Sequence, residues 1–576
     1  MSTGKYETVL QQCKTWMDNS KLDKDLRAEL EVYTKALEQN PEDPAALDEI
    51  YERFYKELEF GTGGLRGVLG AGTNRMNVHT VAKATQGMAN YVNNHYAVKK
   101  TLFKKGKRAS VAISYDSRNL SKEFANIAAR VLVANDIDVY LYSELMPTPA
   151  LSFAVRHYGC AAGIMITASH NPAKYNGYKA YNDDGGQMSG DQADEVLHEI
   201  EKLDIFADVK VAADDSAVNY IPQETIDAYI AAVKKESTGF NGCKNLEVVY
   251  TALNGAGNKP VRRIMEEIGV GKVHIVKEQE LPDGNFPTCS YPNPEKMDAL
   301  ELGLAMCREL GTPDLLLATD PDADRVGIAV KHEGDYVLLT GNEVGVLLLD
   351  FLCQVKKLAE NPICVKTIVS SKMTDVVAKN YGVEVKNVLT GFKYIGEQIK
   401  MLEDKGEEAR YVLGFEESYG YLSGPYVRDK DAVNASMLIC EMASFYKSAG
   451  KTLVAHLNDL YDQYGYYKND LMDFQFEGAA GMDKMASIIE ALRQNPLTTV
   501  NGKAVVNKID YGKDDTGLPK STVLEYNLED GSSVIVRPSG TEPKLKIYLS
   551  ARGTSPEDSL NIIATMKAEM TELINK

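Results

Sequence analysis

Several short stretches of this chain carry residue types that do chemistry only when something organises them. Thr167-Ala168-Ser169-His170-Asn171-Pro172 puts a serine just after an uncharged, strand-like run, 161–166. The end of a parallel strand is the usual ligand crevice of open α/β sheets. A serine hydroxyl is a weak nucleophile at neutral pH and needs a base, a metal or both. His170 is adjacent, but successive side chains of an extended segment point to opposite faces, so it is expected to be poorly placed as that base. Gly-x-Ser-x-Gly is absent, because Thr167 and Asn171 stand where its glycines would be. A hydrolase triad is therefore disfavoured. Taken alone, Ser-His-Asn reads more simply as a serine capping a turn. The Asn176-Gly177 pair that follows predicts a tight turn.

Asp320-Pro321-Asp322-Ala323-Asp324-Arg325 lies between apolar, strand-like runs at 315–319 and 326–330. Carboxylates at alternate positions converge only if a cation holds them, since like charges repel. Arg325 and Lys331 stand sixth and twelfth, where an EF-hand needs glycine and glutamate. A solvated acidic turn is the plain alternative, but Pro321 and the flanking strands argue for a rigid loop. Magnesium suits such an all-oxygen site.

Arg537-Pro538-Ser539-Gly540-Thr541 combines an arginine, hydroxyls and glycine-freed amides, a good phosphate cradle. A Walker A loop is excluded, because Phe445 precedes Gly450-Lys451-Thr452 where a glycine belongs. Within Gly414–Gly420, an acceptor carboxylate and a hydroxyl between glycines suit sugar hydroxyls, and Glu417 reads as simply solvated. Gly61 to Gly67 imitates a dinucleotide loop but carries Arg66 where glycine is needed, with no strand clearly before it. Its glycines would admit backbone close to an anion, with Arg66 supplying charge. Gly255 and Gly257 fail as a cofactor loop at Pro260 and read as a domain turn.

The elements that must position these loops follow from periodicity. Residues 6–58 read as helical, broken by Pro41-Glu42-Asp43-Pro44. Strand 110–114, helix 121–134 and strand 138–142 imply a parallel sheet with right-handed crossovers. Arg118 either touches phosphate or pairs with Asp116. After a polar linker at 207–215 a second α/β unit begins with strand 246–250. A third spans about 341–449, with strand 363–369, then Gly391-Phe392-Lys393, then strand 411–413; the segment from 453 reads as α+β. A chain of 576 residues is too long for one core. Its net charge of −18, from 82 acidic and 64 basic residues, argues against a nucleic-acid or anionic-membrane binder. The 8 cysteines are scattered and read as reduced thiols of a cytoplasmic protein. The N-terminus lacks a signal-peptide core, and the apolar run 344–349 is too short to span a bilayer.

The serine loop with Asn176-Gly177-Tyr178-Lys179, the acidic loop, the Gly414–Gly420 loop and the Arg537–Lys544 loop resemble, in this order, the active-site loops of the α-D-phosphohexomutases, the phosphoglucomutase and phosphomannomutase family. The resemblance runs from about Phe60 to the C-terminus. Gly63 departs from the family's serine, and Asp283–Pro287 with Pro292–Glu295 resembles a family loop whose role the residues do not reveal. The resemblance implies an α/β fold of four domains: three related α/β domains with mixed, mostly parallel sheets and a C-terminal α+β domain around a central active-site cleft. The expected divisions are 1–207, 208–330, 331–452 and 453–576.

What the resemblance implies for chemistry is a mutase of the isomerase class. Ser169 would carry the phosphate, and Mg2+ would sit on Asp320, Asp322, Asp324 and Ser169. Arg325 would clamp phosphoryl oxygens, and Lys179 would be the general acid/base, its pKa lowered by cationic neighbours. His170 joins the catalytic candidates beside Ser169. Arg66, Lys393, Glu416, Ser418, Arg537, Ser539, Gly540 and Thr541 would bind substrate, Lys393 also being a candidate for proton transfer. The expected reaction interconverts glucose 1-phosphate and glucose 6-phosphate through glucose 1,6-bisphosphate. Phosphopentomutase and phosphomannomutase are the alternatives, ahead of a phosphosugar phosphatase or a non-catalytic sensor. The expected partners are small phosphosugars, without nucleic acid or membrane, for a cytoplasmic monomer or homodimer.

Overall fold

The computed structural model describes residues 4–61, 63–99, 108–476, 478–539 and 544–575. Gly540 and Thr541 of the expected cradle lie outside them. The chain forms two compact units, the first holding 1–237, 243–328 and 425–440, the second 238–242, 329–424 and 441–576.

The first unit opens with α1 (Gly4–Asp18), α2 (Lys24–Gln39) and α3 (Pro44–Phe54). The helical stretch breaks twice, not once. Asp43 caps α3 with Pro44 in its first turn, and Asp23 caps α2 by accepting from the amides of Asp25 and Leu26. The helices bury Val9, Trp16, Leu30, Ile50 and Phe54 against Ala71 and Phe206.

Next come β1 (Gly64–Val68), α4 (Val78–Lys99), β2 (Ser110–Tyr115), α5 (Ser121–Ala134), β3 (Asp138–Leu141), α6 (Thr148–Tyr158), β4 (Ala162–Ile166), β5 (Tyr175–Tyr181), α7 (Asp191–Glu201) and β6 (Val218–Tyr220). They build one sheet in the order β1-β5-β4-β2-β3-β6. β4, β2, β3 and β6 run parallel, while β5 is antiparallel to both β4 and β1. β6, beyond the polar linker, thus joins the first sheet. Two sequence signals yield to tertiary context here. The Asn176-Gly177 pair is not a turn but lies inside β5, where a Cβ on Gly177 would sit 2.5 Å from the Thr167 carbonyl oxygen and 2.9 Å from that of Leu65. Arg66 sits on a strand, β1, too short and glycine-rich to announce itself.

The first unit continues through α8 (Gln223–Lys235), β7 (Glu247–Thr251), α9 (Asn258–Glu267), β8 (Lys272–Ile275), α10 (Met297–Leu310) and β9 (Leu315–Thr319). β7 pairs in parallel with β8 and β9. The Gly255–Gly257 turn backs the acidic loop: Ala256 N–H donates to the Pro321 carbonyl at 2.8 Å, and a Cβ on Gly255 would meet Pro321 Cα at 2.5 Å.

β10 (Val326–His332) carries the chain into the second unit, followed by β11 (Asp335–Leu339), α11 (Gly341–Val355), β12 (Ile363–Thr367), α12 (Met373–Asn380), β13 (Glu384–Val388), α13 (Phe392–Glu403), β14 (Tyr411–Glu416), β15 (Gly420–Leu422), α14 (Ala432–Ser448) and α15 (Leu453–Tyr464). β13, β12 and β14 are parallel and β15 antiparallel to β14. α15 packs on α11 and α12, so the third α/β layer extends past residue 453. The remaining β16 (Tyr466–Gln475), α16 (Gly478–Gln494), β17 (Thr499–Val500), β18 (Lys503–Asp510), β19 (Leu524–Leu528), β20 (Ser533–Pro538), β21 (Lys544–Gly553) and α17 (Pro556–Asn575) give a wholly antiparallel sheet, β16-β21-β20-β19-β18-β17. The architecture is thus α/β with an α+β C-terminal part, as expected. Among the described residues no helix is long and apolar enough to cross a membrane.

Candidate active site

The chain leaves β4 at Ile166 and turns sharply, and Ser169 takes a left-handed backbone at φ +52°. Thr167 Oγ1 fixes that turn by accepting from Ser169 N–H at 2.7 Å while donating to Asp116 Oδ2 at 2.6 Å. The serine hydroxyl is buried and donates to Asp320 Oδ2 at 2.8 Å. The expected opposition of His170 to Ser169 fails for the same reason: a positive φ abolishes strand alternation, and His170 Nδ1 lies 3.2 Å from Ser169 Oγ. Burial, then the charges of Arg325 and Arg66, hold the His170 pKa well below its ordinary value, so the ring is neutral. Arg118 is buried beneath the loop and pairs with Asp116 at 3.4 Å.

Asp320, Asp322 and Asp324 place carboxylate oxygens within 4.8 Å of one another, all buried. Ala323, at φ +47°, turns the backbone between the last two. The amides of Asp324 and Arg325 donate to Asp320 Oδ1 at 3.2 and 3.1 Å, and Thr148 Oγ1 donates to Asp322 Oδ2 at 2.8 Å. Asp322 Oδ1 and Asp324 Oδ1 accept no hydrogen bond although both are buried. Burial, then the charges of Asp322 and Asp324, push Asp320 well above the carboxylate range. Burial alone would raise Asp322 too, but Lys179 at 2.9 Å, the hydrogen bond with Asp320 and the charge of Lys430 together outweigh it and hold that carboxyl down. Hard oxygen donors with unsatisfied lone pairs, crowded like charges and the serine hydroxyl beside them fit a divalent cation such as magnesium.

Lys179, on β5, also approaches Asp324 Oδ2 at 3.5 Å. Its expected pKa shift is overturned: burial lowers it, but Asp322 and Asp324 prevail and the ammonium is held protonated. Arg325 Nη1 donates to Glu295 Oε1 at 2.8 Å, which gives the Pro292–Glu295 loop the role that its residues alone did not reveal. Arg66 is exposed on β1 opposite Gly177, and its charge reaches His170.

The second unit holds the other expected residues. Glu416 ends β14, is buried, and accepts the Gly391 amide at 3.0 Å at the start of α13. Lys393, two residues on, lies over the Tyr394 ring at 4.9 Å, and burial lowers its pKa. Glu417 is half-buried rather than simply solvated: its Oε2 accepts Thr367 Oγ1 at 3.0 Å. Ser418 is half-buried in the turn before Tyr419, which has φ +66°. Arg537, on β20, reaches Tyr548 Oη at 3.5 Å. Burial and then Glu417 push that phenol up to about 12 against Arg537, and Glu416 adds to the shift. Ser539 N–H donates to the Lys544 carbonyl at 2.7 Å.

Sequence reasoning missed Lys430 and Thr148. Lys430 Nζ lies 2.9 Å from Asp324 Oδ2 and 3.3 Å from Asp429 Oδ1, and Tyr181 Oη donates to Asp429 Oδ2 at 2.7 Å. The run Arg428-Asp429-Lys430-Asp431 reads as a solvated turn, yet all of it is buried; its one signal is that it leads directly into the apolar α14.

Models described as phosphoglucomutase/phosphomannomutase alpha/beta/alpha domains I, II and III match residues 57–205, 227–334 and 340–464, and the model of that family's C-terminal domain matches 483–560. A phosphoglucomutase of Staphylococcus aureus (strain MRSA252) is 37% identical over 530 residues, 89% of this chain and 93% of that protein. Two solved structures share the fold. The open form of parafusin (phosphoglucomutase) from Paramecium has a TM-score of 0.67 at 19% identity, covering 90% of this chain and 96% of that one. A phosphoglucomutase/phosphomannomutase family protein from Burkholderia thailandensis has a TM-score of 0.65 at 19% identity, covering 89% and 97%.

Proposed function

The chain belongs to the phosphoglucomutase/phosphomannomutase family and is a mutase of the isomerase class, and from that premise we propose that it interconverts glucose 1-phosphate and glucose 6-phosphate through phosphorylated Ser169 and glucose 1,6-bisphosphate. The observation that carries this reading is the buried Ser169 hydroxyl 2.8 Å from Asp320, the first carboxylate of the triad.

Phosphoryl transfer is chiefly positioning and charge stabilisation, with little covalent work for the protein. Ser169 Oγ carries the phosphoryl group, gives it to the free sugar hydroxyl, and takes the other phosphate of the bisphosphate back. Asp320, Asp322 and Asp324 would hold magnesium, whose charge would offset that of the transferring group. Lys179, held protonated beside the triad, gives its proton to the departing oxygen and regains one from the attacking hydroxyl, so the proton balance closes. Arg325, steadied by Glu295, faces the phosphoryl oxygens, with Arg66 adding positive charge. Glu416 and Ser418 bind sugar hydroxyls, Lys393 orients the ring, and Arg537 with Ser539, Gly540 and Thr541 holds the phosphate that does not react.

The test is to assay glucose 1-, mannose 1- and ribose 1-phosphate side by side while monitoring inorganic phosphate. Glucose 1-phosphate should turn over fastest with no phosphate released. Phosphate appearing as fast as substrate disappears would identify a phosphatase, and faster turnover of another sugar would reassign the substrate.

A further inference from the structure

We propose that Arg118 is a positioning residue for the reaction: it locks the carbonyl side of the nucleophile loop so that Ser169 keeps the left-handed backbone that aims its hydroxyl at Asp320. The proposal rests on the nucleophilic role of Ser169. The Arg118 guanidinium is fully buried, and it spends its donors on backbone rather than on a ligand. Nε and Nη2 donate to the Ser169 carbonyl at 3.2 and 2.5 Å, Nη1 to the carbonyls of Pro172 and Tyr175 at 3.0 Å each, and Nη2 to that of Asn171. One planar fork thus gathers the carbonyls of the loop from Ser169 to the first residue of β5. Asp116 serves both sides of the serine. Its Oδ2 orients Thr167, which accepts the Ser169 amide, and also pairs with Arg118, which donates to the Ser169 carbonyl.

A non-glycine residue at φ +52° is held there only when its surroundings over-determine it. Amide and carbonyl pinned from one carboxylate supply that constraint. The back of the guanidinium is covered by Phe286, whose ring centroid lies 5.0 Å from Cζ. The Asp283–Pro287 loop is seated on this brace: Asn119 Nδ2 donates to Asn285 Oδ1 at 2.9 Å, and a Cβ on Gly284 would meet the Asn119 amide nitrogen at 2.3 Å.

Lysine keeps the charge of Arg118 but replaces a rigid fork of five donors with a point charge. Misplacement of a reacting atom by about 1 Å costs roughly a hundredfold in rate. Arg118→Lys should therefore lower kcat, and the single-turnover rate at which enzyme labelled on Ser169 by glucose 1,6-bisphosphate passes its phosphate to glucose 1-phosphate, by about a hundredfold. KM should stay within about threefold, because no substrate contact is removed. Phe286→Leu leaves the fork and removes its stacking, so kcat should fall by about threefold to tenfold with KM unchanged. An unchanged kcat in a folded Arg118→Lys would overturn the proposal, as would kcat and KM deteriorating together with a lowered Tm. If Arg118→Lys does not fold, Phe286→Leu decides, and wild-type kcat there overturns it. Absence of label on wild-type Ser169 would instead sink the nucleophile itself, an outcome separate from all of these.

Discussion

The two units treat their polar residues in opposite ways. In the first, Ser169, Asp320, Asp322 and Asp324 are at most 3% exposed, and Lys179, Lys430 and Thr148 are already bonded to the carboxylates. Of the expected substrate-binding residues described in the second, Lys393, Ser418, Arg537 and Ser539 are half-buried and Glu416 is buried. Charges fixed in a dry setting need no reorganisation when the transition state forms, which is where electrostatic catalysis gains most. Their cost is burial first and mutual repulsion second, both visible in the raised Asp320 carboxyl, and a bound cation offsets it. Half-hydrated groups give a smaller net return per hydrogen bond but can discriminate among hydroxyl patterns. Changes in the first set should therefore abolish turnover, whereas changes in the second should reorder substrates.

The sharpest way to break this contrast is Ser169→Ala, expected to cut turnover by about 10⁴-fold or more, since loss of a nucleophile leaves only binding and field. Mass spectrometry should find one phosphate on the wild-type peptide containing Ser169 and none on the variant. Substantial turnover by the variant would end the phosphoserine route. Next in size is the triad. Asp322→Asn should lower kcat by about 10²- to 10³-fold, as losses of a charge-stabilising group do. Chelation of wild type should mimic it, and magnesium should restore activity better than calcium, whose coordination shell is larger and looser. Full activity after exhaustive chelation would show that the carboxylates serve another purpose.

The sequence makes the first set easier to read than its supports. β9 and α5 run over the expected residues because apolar strand and amphipathic helix are local patterns. The acidic loop is legible because three carboxylates crowded between apolar strands repel one another unless a cation holds them. By contrast, the partners of Lys430 and Asp429 lie far away in the chain, at Asp324 and Tyr181, so no local pattern can distinguish their run from a solvated turn. Gly177 misleads because glycine signals either a turn or a close backbone approach, and only the neighbours of β5 decide which. Lys179 misleads because its nearest charges are carboxylates rather than the expected cations. For the second unit, the Glu416–Gly391 bond depends on the end of β14 lying beside the start of α13, a matter of topology that residue types do not carry.

Glu416→Ala tests the discriminating side. An unpaired buried hydroxyl costs about 1–3 kcal/mol, so kcat/KM on the preferred sugar should fall roughly tenfold to a hundredfold. Saturating glucose 1,6-bisphosphate should still load Ser169 with phosphate, because the first unit is untouched. An unchanged ranking of glucose 1-, mannose 1- and ribose 1-phosphate would place discrimination elsewhere.

The smallest expected effect concerns His170, and its sign separates two roles. The ring lies within hydrogen-bonding reach of Ser169, and burial, then Arg325 and Arg66, depress its pKa well below 6.5. A depressed histidine pKa means that the neutral form is already present at pH 6 and persists upward. Magnesium on the triad would add positive charge nearby and push the same way, so metal binding does not reverse the sign. kcat/KM reports the free enzyme, in which the phosphate carried by Ser169 opposes the shift while burial, the two arginines and the metal charge favour it and are expected to prevail. His170→Ala should therefore lower kcat/KM by the same modest factor, about threefold to tenfold, at every pH from 6 to 8, the size expected for loss of one ordinary hydrogen bond. An imidazolium acting as acid would behave differently: the loss would be concentrated below pH 6.5 and vanish above it. Parallel pH profiles for variant and wild type keep His170 as a neutral hydrogen-bonding neighbour of the nucleophile, and profiles that converge at high pH would make it a titrating acid.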